Sequence, residues 1–163
     1  MRVYLPSTLP ALRRLLDEGA LTGAPLPAYA VTDALRSWYD EGDEEELELA
    51  AMDLAAAASV RLLDADPDAV RRRVVVVAEV PEATPVPQVD RAAVRVPQDV
   101  PLRLVQAVHV DDPAAVDDVT AAAEAVIAAD LGSEDAAFVV AQAEGHELQW
   151  YATQEIGPLL ELS

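Results

Sequence analysis

Arg72-Arg73-Val74-Val75-Val76-Val77-Ala78-Glu79-Val80 is the stretch that decides the fold. A strand with one wet face alternates apolar and polar residues, and this run does not. Its β-branched valines favour extended backbone, and their continuity marks a central strand covered on both faces. Upstream, Asp66-Pro67-Asp68 reads as a turn. Downstream, residues 81–101 carry five prolines and form an irregular segment with at most a short edge strand at Ala92–Val96.

Further out, Val3-Tyr4-Leu5 reads as a strand, and Ser7 or Thr8 caps a helix with Leu9, Leu12, Leu15 and Leu16 on one face. Pro10 suits that helix's first turn and Gly19 its end. Ala28–Val31 is a second strand, and Asp33 caps a short helix to Tyr39. Asp43 opens a long helix to about Leu63, whose apolar residues cover more than half its surface and predict packing on several sides. Leu102–Val110 reads as a strand. Asp112-Pro113 then starts a helix to about Asp130, with Val116, Val119, Ala123, Val126 and Ile127 on one face. Residues 137–144 fit helix and strand equally. Leu148, Trp150 and Ala152 alternate with Gln149, Tyr151 and Thr153, which predicts a half-buried strand anchored by Trp150.

These elements predict a single α+β domain over residues 1–163. Its sheet would be mixed or antiparallel, with four to six strands and helices mainly on one face. The expected architecture is a ferredoxin-like core carrying a helical insertion at 33–64.

Composition narrows the chemistry. The chain has no lysine, no asparagine and no cysteine. Schiff-base lysines, thiolate nucleophiles, cysteine zinc sites and disulfides are therefore excluded. An alphabet rich in Ala, Val, Leu, Arg and Pro reflects GC-rich coding. Thirty acids against 11 arginines give a net charge of −19. That opposes binding to nucleic acid or anionic membranes and leaves room for a basic partner. The opening residues lack the apolar core of a leader peptide, and uncharged, largely apolar runs such as Leu54–Val60 are too short to span a bilayer. A cytoplasmic protein is expected. No GxSxG, P-loop or GxGxxG motif occurs, and no cofactor is expected.

Three segments carry a resemblance: MRVYLPSTLPALRRL (residues 1–15), SWYDEGDEEELELAAM (residues 37–52) and HELQWYATQEI (residues 146–156). Together they resemble a family of small, uncharacterised, acidic proteins of high-GC actinobacteria, nearly end to end. The resemblance implies no activity, ligand or site residue.

Five local patterns invite a functional reading. The acidic run Asp40, Glu41, Asp43–Glu46 and Glu48 could hold a cation or a basic partner, but carboxylates also favour a helix start. Asp64-Ala65-Asp66-Pro67-Asp68 imitates a calcium loop. It has Ala69 where glycine is needed and Val75 where the bidentate glutamate is needed, so the aspartates are expected to pair with Arg71, Arg72 and Arg73 instead. His109 and Asp111 share a strand face and could offer half a site for a divalent metal, but no third ligand is identifiable and no metal is expected to bind tightly. His146 and Glu147 could form a proton-transfer pair beside the aromatic wall of Trp150 and Tyr151. Finally, Tyr4, Tyr29 and Tyr151 each stand near a strand end before a hydroxyl and an apolar helical run, which could bring tyrosines to one edge.

The leading expectation is a non-enzymatic interaction or regulatory module whose partner is a basic protein or a second copy of the chain. The alternative is a small metal-assisted enzyme using His146 and Glu147 or His109 and Asp111. A third reading is an acidic nucleic-acid mimic. Should Trp150 prove exposed rather than buried, the His146–Trp150 cluster becomes the first candidate for a binding surface.

Overall fold

The valine run forms β4 (Val74–Glu79), and it is central. The structure is a computed structural model that describes residues 1–39 and 41–163; Asp40, in the acidic run, lies outside the described residues. β4 lies between β1 (Arg2–Ser7) and β8 (Val105–Asp111), antiparallel to both, with Tyr4 opposite Val77 and His109 opposite Val75. Beyond β1 come β3 (Leu26–Tyr29), β6 (Ala93–Val96) and β5 (Thr84–Pro85). Beyond β8 comes β9 (Leu148–Ala152). A separate two-stranded pair joins β2 (Ala20–Leu21) to β7 (Val100–Pro101).

The main sheet thus has seven strands, all paired antiparallel, rather than four to six. The extra strands are short and fall in proline-bearing segments, where two residues carry no readable period. A ferredoxin-like core is also ruled out. That core separates the two strands flanking its first helix and runs them parallel. Here β3 pairs directly with β1, antiparallel.

Period-two alternation sorts the valines to two faces. Val74, Val76 and Ala78 pack with Val3, Leu5, Val108 and Val110 against α1 (Leu9–Glu18) and α6 (Ile156–Glu161), through Leu12, Leu15 and Ile156. Val75, Val77 and Tyr4 pack against Ala51, Ala55 and Ala56 of α3 (Glu44–Ala65). Helices therefore cover both faces, not mainly one. Both faces of β4 had to be dry because neither carries a polar side chain before Glu79.

Local signals explain the helix bounds. Thr8 caps α1 by accepting from the Ala11 amide, and Gly19 ends it at φ 78°, where a side chain would be strained. α2 (Asp33–Trp38) and α3 form the helical pair between β3 and β4. The alanines of α3 bring its backbone close to the sheet. On its other side Val60 and Leu63 meet Val119 and Ala123 of α4 (Val116–Asp130). Residues 137–144 are helical, within α5 (Glu134–Glu144), which forms a hairpin with α4.

Ser59 shows how tightly α3 is fixed. Its buried hydroxyl donates to the Ser7 carbonyl at 2.8 Å and accepts from the Val74 amide at 3.0 Å. Ser59→Ala orphans two buried backbone groups and should lower the urea-unfolding free energy by about 1–3 kcal/mol. An unchanged midpoint would mean that water replaces the hydroxyl.

Candidate binding groove

α3 crosses the sheet over β1 and β4 and leaves the neighbouring face of β8 and β9 uncovered. The result is an open groove of about 1400 Å³. Its floor is Tyr4, Val77, Ala107, His109 and Trp150. Along α3 its wall is Glu45, Glu48, Leu49, Met52, Asp53 and Ala56. These positions recur every three or four residues and so share one helical face. The α5–β9 connection closes one end with Glu144, His146, Glu147 and Leu148, while Arg2 and Gln106 stand at the other.

Trp150 is 59% exposed and so is not the core anchor its alternation implied. β9 is the outermost strand, and the α3 face beside it stays open, so Trp150 has nothing to pack under. Across the groove, Leu49 is 60% exposed. Tyr151 points to the opposite face, against the α1–α6 core. Tyr4 and Tyr29 are direct partners on the groove face of β1 and β3, but Tyr29 lies beyond the groove, against Leu35 and Leu47. The three tyrosines are therefore not gathered at one edge.

At the closed end of the groove, with Arg73 in its lining, lies a buried ion pair. Asp111 accepts from the Arg73 backbone amide, Nε and Nη2, each at 2.8 Å. Arg73 also donates to the His146 carbonyl at 2.9 Å, tying the α5–β9 connection down. The expected pairing of Arg71–Arg73 with Asp64, Asp66 and Asp68 does not occur. Arg72 donates to the Asp111 carbonyl and to Ser163, and Arg71 to the carbonyls of Leu63 and Asp66. Asp111 is thus committed to Arg73, and the half-site with His109 is not assembled. Nor are His146 and Glu147 paired. His146 Nε2 meets the Asp118 carboxylate at 2.7 Å on α4, whereas Glu147 is exposed. Among the described residues no cluster of three His, Asp or Glu could hold a metal ion.

The groove is electronegative. Arg2 lies 3.8 Å from Glu48 and Arg73 is consumed by Asp111. Among the described residues Glu45, Asp53, Glu144 and Glu147 form no ion pair. Burial raises the Asp53 carboxyl; Arg73 pulls it back down, and Glu144 adds to the rise. Burial likewise raises the Tyr4 hydroxyl, and Glu48 raises it further. His109 is lowered by burial first and by Arg2 second, which keeps it neutral.

That last shift fixes a pH dependence. The unfolded chain binds a proton at His109 more readily than the folded one, so stability rises with pH across the interval between the two pKa values. The contribution is present above about pH 6.5 and is lost as the pH falls below it. Wild type should therefore lose melting temperature faster than His109→Gln between about pH 7 and pH 5. Parallel curves would contradict this.

Sheet, helices and groove together define an α+β protein with one long acidic cleft containing an exposed indole. The chain belongs to a family of unknown function, DUF6912, which matches residues 1–160. No curated protein and no solved structure matches it. Among the described residues no helix is long and apolar enough to cross a membrane.

Proposed function

We propose that the protein is a non-enzymatic binding module whose groove takes a basic segment of a partner protein. The supporting observation is Trp150, exposed on the floor of a cleft walled by Glu45, Asp53, Glu144 and Glu147. Tryptophan is over-represented among the residues that dominate binding energy. The uncompensated carboxylates supply long-range attraction for arginine or lysine. Leu49 and Met52 add apolar surface for the aliphatic stems of those side chains. A nucleic-acid mimic needs its acids arrayed on one surface, whereas these are scattered through the chain. The enzymatic alternative has less support, because Asp111 is engaged by Arg73 and His146 pairs with Asp118 rather than with Glu147.

The test uses Trp150 as its own reporter. Trp38, the other tryptophan, stacks under Arg91 at 3.5 Å outside the groove. A Trp38→Phe protein titrated with an eight-residue peptide alternating arginine and valine should show a saturable blue shift of Trp150 emission, weakened by salt. No shift, or an equal shift with a glutamate–valine peptide, would overturn the reading.

A further inference from the structure

We propose that the partner binds as an added β-strand on the free edge of β9. This rests on the groove reading above and specifies its geometry. The backbone directions follow from the ladder. The Asp111 amide donates to the Arg73 carbonyl at 3.1 Å, toward β4. Along β8, residues 107, 109 and 111 therefore turn their backbone groups to β4, and 108 and 110 turn theirs to β9. Val108 lies opposite Tyr151 and Val110 opposite Gln149. Gln149 and Tyr151 thus bond to β8, whereas Leu148, Trp150 and Ala152 face outward. The Ala152 amide confirms the parity: it donates outward to Glu155 Oε1 at 2.8 Å. The N–H and C=O groups of Leu148 and Trp150 present an open edge.

The two edges of the sheet are not alike. β5 is two residues long and ends in Pro85, so it cannot template another strand. β9 reads Leu-Gln-Trp-Tyr-Ala, with no proline and no charge. An unguarded edge of this kind is the surface used in strand addition. Charge selects the occupant. Glu147 precedes the edge and Glu155 follows it, and a strand laid alongside sets every second side chain on the groove face with Trp150, toward Asp53 and Glu144. Antiparallel pairing of β9 with a second copy would bring Glu147 of each chain toward Glu155 of the other, within a pair of chains each carrying −19. The geometry therefore favours an extended foreign segment with a basic residue at alternate positions.

Amide hydrogen exchange on the full chain tests this, with the arginine–valine peptide as probe. At saturation, exchange at Leu148 and Trp150 should slow at least about tenfold. Two further peptides carry N-methyl groups, one on its arginines and one on its valines. One of them should lose at least about tenfold in affinity and the other should not, since only one alternate set of amides can face β9. If both methylated peptides bind as well as the parent and Trp150 emission still shifts, strand addition is overturned and the groove reading stands. If no peptide binds, both fall. If Leu148 and Trp150 become protected without peptide as the protein is concentrated and it dimerises, the edge takes a second copy and the proposed occupant is wrong.

Discussion

Asp111→Ala should lose about 3–5 kcal/mol of stability, a large share of a domain's usual 5–15 kcal/mol. Asp111 is fully buried and Arg73 is 3% exposed. The carboxylate accepts three hydrogen bonds from Arg73, one of them from its backbone. Removing it leaves a guanidinium in the interior with only the His146 carbonyl as acceptor. A buried charge without its counter-charge is the costly half of such a pair. Urea unfolding checks the magnitude. The double variant Arg73→Met/Asp111→Leu separates the causes: it should recover much of the loss, because it removes the charge as well as the partner. A double variant as unstable as Asp111→Ala would assign the cost to lost packing instead.

Trp150→Ala should do the reverse, leaving stability nearly intact and abolishing recognition. The indole covers no core, so the change in unfolding free energy should stay within about 0.5 kcal/mol, the usual range for surface substitutions. Affinity for the arginine–valine peptide should fall about thirtyfold, the equivalent of about 2 kcal/mol for a residue that anchors an interface. A Trp150→Ala protein that melts far below wild type would show that the ring supports the fold. One that binds the peptide normally would remove Trp150 from the site.

The contrast between these two variants shows what the sequence makes legible. The valine run identified its own strand because burial on both faces leaves a continuous apolar signature. Thr8, Gly19 and the Asp112-Pro113 pair marked helix ends because capping is local chemistry. The Arg73–Asp111 pair was invisible because its partners lie 38 residues apart and meet only through the β4–β8 register. Trp150 misled for a related reason. Its alternation correctly gave a strand, but alternation does not say whether a helix covers that face. α3 covers β1 and β4 and stops short of β9. The wall of the groove was not singled out: the apolar residues of α3 spread over more than half its surface and so marked no single face for Glu45, Glu48, Leu49, Met52, Asp53 and Ala56. What could not be read was that this face looks onto His109 and Trp150.

A second surface competes for the role of docking site. Ile127, Leu131 and Phe138 are exposed on the α4–α5 hairpin, and Phe138 is 68% accessible. Chemical-shift mapping of the ¹⁵N-labelled protein with the arginine–valine peptide decides between the two surfaces. Shifts should concentrate on β9, the 144–147 connection and the Glu45–Ala56 face of α3, leaving Ile127, Leu131 and Phe138 unmoved. Shifts centred on the hairpin, or none at any peptide concentration, would contradict the groove reading.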